Sequence, residues 1–112
     1  MKKHKRGRHA PAFVLLILAK KPAYGLEILN KLNNICTENT IDSAAIYRAL
    51  KALENDKRLT SQWIESESGA PKKVYSITAL GIELLAEYKE DIVACINNLN
   101  SFICLYDELK LN

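Results

Sequence analysis

Three cysteines, two histidines and four glycines in 112 residues leave little material for several kinds of chemistry. Cys36, Cys95 and Cys104 are odd in number, widely spaced and without a C-x-x-C pair, which argues against a disulfide framework or a zinc site and fits a reducing cytoplasm. Both histidines, His4 and His9, lie near the start of the chain. No nucleophile, base and acid set and no phosphate-cradling glycine loop can be picked out, so neither an enzyme nor a cofactor is expected. A long membrane-spanning run is missing as well. The stretch Ala12 to Ala19 (AFVLLILA) follows positive charge as a signal peptide does, but it is short, and Lys20, Lys21 and Pro22 follow it with no small-residue cleavage pattern. It reads as a buried helix.

What is present is a chain of one small domain plus an extension, with the 48% hydrophobic content of a folded protein. Its net charge of +3 is unevenly spread. Lys2, Lys3, Lys5, Arg6 and Arg8 put +5 on the first eight residues, residues 9–78 carry +2, and residues 79–112 carry −4. Such a gradient suits a chain whose front faces a polyanion and whose back does something else. A solubilising tail would give the same front.

Hydrophobic spacing predicts three short helices at the front. The first spans about Ala10 to Ala19 and is apolar almost all round. The second begins near Pro22 or Ala23 and runs to about Asn33, with Leu26, Leu29 and Leu32 inward. After an irregular polar stretch, Asp42 or Ser43 caps the third, DSAAIYRALKALEN. Here Ile46, Leu50 and Leu53 form an inner face, while Ala44, Tyr47, Arg48 and Lys51 recur on another. Small residues at the start, Ser43 and Ala44 among them, allow close approach to a surface, Arg48 can make a two-pronged contact with guanine or phosphate, and Lys51 adds charge one turn on. This pattern is that of a helix reading double-stranded DNA, although an amphipathic helix with a solvated charged face shares it.

The period then changes. Leu59 to Ser66 and Lys73 to Ile77 read as strands around a turn at Glu67 to Lys72, a hairpin with Lys72 and Lys73 at its tip. Following a recognition-like helix, it reads as a wing. From the capping residue Thr78 onward, Leu85, Tyr88, Ile92, Cys95, Leu99, Phe102, Tyr106 and Leu109 alternate by three and four, a seam widened by Ile82, Ile96 and Ile103. Self-association would cover it; so would folding back onto the domain. Asn97, Asn98 and Asn100 mark a candidate bend. The expected fold is therefore mostly α with a small β-hairpin (α+β): a basic tail over residues 1–9, a winged helix-turn-helix over 10–78, and a C-terminal dimerisation helix over 79–112.

PAYGLEI at the second helix, AIYRALKALE at Ala45 to Glu54, and GAPKKVYSITALG from Gly69 to Gly81 together resemble the PadR family of bacterial winged-helix regulators. The resemblance implies a homodimer joined by its terminal helices and binding an inverted-repeat operator, generally as a repressor, with release by a small molecule near the dimer interface in many members; a small aromatic or phenolic effector is the class considered for this chain. By position it places Tyr47 and Arg48 on the DNA-facing helix and Lys72 and Lys73 on the basic wing, and makes Tyr75, Thr78 and Gly81 structural. Relatives often carry a threonine or serine where this chain has Ala45, which would cost a hydrogen bond to DNA. A candidate effector pocket lies between Trp63 on the wing and Phe102 and Tyr106 on the terminal helices. Rival readings are a redox or metal sensor built on the three cysteines and a sequence-blind DNA-coating or protein-interaction module.

Overall fold

The computed structural model describes residues 9–36, 38, 41–67 and 69–111. Lys2, Lys3, Lys5, Arg6 and Arg8 of the basic tail lie outside the described residues. The order is α1 (Ala10–Lys20), β1 (Ala23–Tyr24), α2 (Gly25–Ile35), α3 (Ser43–Asn55), β2 (Leu59–Ile64), β3 (Lys72–Ile77) and α4 (Ala79–Glu108).

Helix α1 is the centre of the fold, as its all-round apolarity predicts. Val14, Leu15, Ile17 and Leu18 are buried, and they meet Ile28 and Leu32 of α2, Ile46, Leu50 and Leu53 of α3, Leu59 of β2 and Tyr75 of β3. Leu16, half exposed, and Ala19 lie outside this core.

Two expectations for the second helix are corrected. Ala23 and Tyr24 form a strand that pairs antiparallel with β3 through Ala23↔Tyr75 and Tyr24↔Val74, so the sheet has three strands in the order β1-β3-β2 and the helix starts at Gly25. The buried stripe also differs from the one expected. Gly25, Ile28 and Leu32 are its buried positions, and Leu26, expected inside, is 53% exposed. The Glu27 carboxylate accepts from the Tyr24 N–H at 3.2 Å, satisfying one of the free amides that a helix start leaves.

Helix α3 is capped by Asp42, whose Oδ1 accepts from the Ala45 N–H at 2.7 Å. It closes through Lys57, which adopts the left-handed region at φ 63° and lets the Arg58 N–H reach the Leu53 carbonyl at 2.8 Å.

The start of α4 is fastened to that same turn. The Thr78 hydroxyl accepts from the Gly81 N–H at 3.1 Å and donates toward the Lys57 and Arg58 carbonyls, while Arg58 Nη1 donates to the Leu80 carbonyl at 2.8 Å. A Cβ on Gly81 would overlap the Arg58 carbonyl oxygen and lie 2.6 Å from Ile77 Cγ1. Glycine is what lets the helix approach this closely. Beyond this joint Leu84, Leu85 and Tyr88 pack against the core, and the rest of α4 runs outward, giving the chain extents of 60 × 28 × 26 Å.

Candidate nucleic-acid interface

Helix α3 divides cleanly into two faces. Ala45, Ile46, Ala49, Leu50 and Leu53 are buried, whereas Ser43, Ala44, Tyr47, Arg48 and Lys51 are all exposed. The outward set is the one expected from the spacing. Arg48 and Lys51 lie one turn apart with no ion pair to an acid among the described residues, so their charge is available to an external anion. Ala45 is a correction: it sits in the core, so a hydroxyl at this position would point inward and its absence removes nothing from the exposed face of α3.

Tyr47 is held from below. A Cβ on Gly25 would stand 2.6 Å from Tyr47 Cε1 and 2.9 Å from its hydroxyl oxygen, so the glycine that opens α2 makes room for the ring. The neighbouring Tyr24 carries Lys72 Nζ over its own ring, 4.2 Å from the centroid. Two stretches of sequence that look separate, PAYG and the α3–wing region, are thus in direct contact.

The wing differs from expectation in where its lysines lie. The register runs from Leu59↔Ile77 to Ile64↔Lys72, so Lys72, expected in the turn, is paired as the first residue of β3, and Lys73 follows it in the strand as expected. Being adjacent in a strand, the two point to opposite sides. Lys72 is exposed. Lys73 is turned toward α3, with Nζ 3.1 Å from Glu54 Oε1 and 5.3 Å from the Tyr75 ring centroid. Glu54 also accepts a short hydrogen bond from the Ser61 hydroxyl. That bond, with the help of Lys73, holds the Glu54 carboxyl below its ordinary range, and the carboxylate in turn pushes the Lys73 ammonium up. Glu54 escaped sequence reasoning because its partners are 7 and 19 residues away and no local spacing signals them.

Along α4 the seam residues separate into two groups. Leu85 and Tyr88 pack partly against their own core and remain only partly buried. Burial, with Asp91 nearby, raises the Tyr88 phenol above its usual range. Ile92 and Cys95 are half-buried, and Leu99, Phe102, Tyr106 and Leu109 are exposed together with Ile96, Ile103 and Leu105. Between α1 and the first half of α4 lies an apolar groove of about 500 Å³, lined by Phe13, Leu16, Ile82, Leu85, Ile92 and Val93 among others. Trp63, Phe102 and Tyr106, expected to share a pocket, do not line it. Trp63 is exposed on β2, and Phe102 and Tyr106 stack on each other with centroids 6.3 Å apart. Of the cysteines, Cys36 and Cys95 are half-buried and Cys104 is exposed, and burial pushes the Cys36 thiol up, away from a reactive thiolate. Among the described residues no helix is long and apolar enough to cross a membrane.

Comparison with known proteins gives a consistent result. Residues 14–87 match the sequence profile of the transcriptional regulator PadR-like family. An uncharacterized protein of Lysinibacillus sphaericus is 30% identical over 81 residues, spanning 70% of this chain and 73% of that protein. The crystal structure of a PadR family transcription regulator from Clostridium difficile R20291 superposes with a TM-score of 0.69 at 28% identity, covering 85% of this chain and 98% of that one. Bacillus subtilis PadR, crystallised in complex with operator DNA, superposes with a TM-score of 0.66 at 22% identity, over 72% of this chain and 46% of that one.

Proposed function

Because this chain belongs to the PadR-like family of transcriptional regulators, we propose that it is a homodimeric repressor that reads an inverted-repeat operator with α3 and is held together by α4. The observation that carries the DNA-reading half is the face of Ser43, Ala44, Tyr47, Arg48 and Lys51, exposed beside the wing while the opposite face of the same helix is buried in the core. A helix so anchored can enter the major groove as a rigid body. Small residues at its start permit close approach, Arg48 supplies a bidentate donor for guanine, and Lys51 and Lys72 supply charge for phosphates. The solved complex of Bacillus subtilis PadR with operator DNA supports this reading for a chain of the same fold.

The dimer half rests on the exposed stripe from Val93 to Leu111. Soluble monomers rarely leave a contiguous apolar patch of more than a few hundred Å² uncovered. The groove between α1 and α4 offers a complementary apolar surface, so the distal helix of one protomer lying along the groove of its partner would cover both. Two reading helices related by a two-fold axis then fit half-sites roughly 34 Å apart. Repression follows from occupancy of a promoter, and an apolar effector would act by entering the same groove and displacing the partner's helix.

The test is binding of wild type and Arg48→Ala to a duplex enriched from a random pool by the wild-type protein, and to its scrambled counterpart, across a salt series. Loss of roughly 1 to 3 kcal/mol on the enriched duplex, with a flattened preference over the scrambled one, is expected. Equal loss on both would make Arg48 a phosphate contact, and no loss on either would remove α3 as the reading head.

A further inference from the structure

We infer that Glu54 sets DNA specificity by withholding Lys73 from phosphate and fixing the wing against the reading helix. The inference rests on the DNA-binding reading above and concerns how that surface discriminates between sequences.

Glu54 lies in the last turn of α3, and its carboxylate reaches both strands of the hairpin. Oε2 accepts from the Ser61 hydroxyl on β2, and Oε1 accepts from Lys73 Nζ on β3 at 3.1 Å. One side chain of the reading helix thereby ties down both strands of the wing, which fixes the angle at which helix and wing present themselves together. A glutamate carboxyl is ionised near neutral pH, and the Ser61 hydrogen bond, together with Lys73, holds this one lower still.

The same contact settles the fate of a charge. Two lysines stand side by side on β3, and strand alternation separates them. Lys72 is exposed over the Tyr24 ring; Lys73 shares the inner side with buried Tyr75 and is paired with a carboxylate. A cation that reaches phosphate strengthens binding to every sequence alike, because the phosphate backbone carries no sequence information. A cation paired with a carboxylate of its own chain, as Lys73 is with Glu54, adds less to that background. Pairing Lys73 therefore lowers sequence-blind affinity and leaves the base-reading residues Tyr47 and Arg48 untouched, so the ratio of operator to random binding rises. Sequence alone counts Lys73 as part of a basic wing; the fold pairs it with Glu54.

The experiment compares full-length wild type, Glu54→Gln, Lys73→Gln and the double variant on the enriched duplex and its scrambled counterpart over a salt series, with thermal melting alongside. Glu54→Gln frees the ammonium. It is expected to tighten binding to the scrambled duplex several-fold at low salt, to steepen the salt slope by roughly 0.9 per protomer, and to reduce the preference for the enriched duplex. Lys73→Gln should leave the wild-type slope unchanged, and the double variant should return the slope of Glu54→Gln to that of wild type. Proportional weakening on both duplexes by Glu54→Gln with the slope unchanged would make Glu54 a residue of fold only, and overturn the inference. So would a slope reduced by roughly 0.9 in Lys73→Gln, since Lys73 would then already be touching phosphate. Because Lys73→Gln reads the pair from the other side, a folding defect in Glu54→Gln leaves the question decidable. Failure of the DNA-binding reading itself looks different: wild type would show no preference for the enriched duplex at all.

Discussion

The winged-helix unit and the distal half of α4 both carry apolar residues at regular spacing, but only the first buries them within the chain. Leu15, Ile28, Leu32, Ile46 and Leu50 are fully buried at 0% exposure, while Leu99, Leu105 and Leu109 stand at 62% and Phe102 at 66%. The difference is one of counter-surface. Residues of α1, α2, α3 and the sheet face one another across a closed core, whereas a 30-residue helix, about 45 Å long at 1.5 Å per residue, outruns a unit less than 30 Å across. Only its first turns meet their own domain. Periodicity thus states that a face wants burial without stating what buries it, and in the distal helix the described residues of the chain leave that face uncovered, which is what the proposed dimer would cover.

The strongest way to break this comparison is a charge in the unburied stripe. Leu99→Glu should cost on the order of several kcal/mol of association if its carboxylate is desolvated without a partner, and nothing in the folding of the winged-helix unit. Sedimentation would give a monomer while the melting curve of the dilute protein stays put. Removing residues 96–112 should act likewise, since Leu84, Leu85 and Tyr88 remain to close the core.

A second change strikes the joint between the two regions. Gly81→Val would drive a side chain into the Arg58 carbonyl and Ile77, and should destabilise folding by about 1 to 3 kcal/mol as an overpacked contact does. Denaturation at several protein concentrations separates this loss, which is independent of concentration, from that of Leu99→Glu. Asp42→Ala removes the α3 cap and should cost about 1 kcal/mol, read by the same titration.

Gly25→Ala sharpens the comparison on the reading side. The atoms in its way belong to the far end of the Tyr47 ring, which can swing outward, so the stability change should stay below about 1 kcal/mol. The preference for an enriched duplex should nevertheless fall, because Tyr47 moves on the DNA-facing surface. Unchanged preference would assign Tyr47 to packing alone.

The smallest effect expected is in pH. The Glu54 carboxyl is depressed, so the stability it lends is present above the ordinary carboxylate range and is lost as pH falls through its own lower value. The melting difference between wild type and Glu54→Gln should therefore be slight near neutrality and vanish in acid. A difference that grows as pH falls would mean that the tie is not carried by the ionised carboxylate.

Much of the fold was legible because its signals are local. The phase of Ile46, Leu50 and Leu53 announces the inner face of α3, Asp42 announces its start, and Thr78 that of α4. What stayed hidden depends on partners distant in sequence. Ala23 and Tyr24 are too few to leave a strand period, and they become a strand because β3 lies alongside them. Missing that strand moved the expected helix start, and choosing the leucines Leu26, Leu29 and Leu32 for the inner face passed over Ile28, which the core buries. The placement of Lys72 in the turn missed by one residue for a related reason, since the register with β2 decides where pairing begins, and it begins at Ile64↔Lys72. The exposed set on α3 was found from spacing alone; the Glu54 tie, which spans 19 residues, could be found only from the folded chain.

The most direct test of the dimer built on α4 is sedimentation of the full-length chain at micromolar concentration, with Leu99→Glu beside it. The expected result is a wild-type species of twice the 12.6 kDa chain mass and a variant reduced to single chains. A wild-type protein that sediments as a 12.6 kDa monomer, with its helical content intact, would contradict the account.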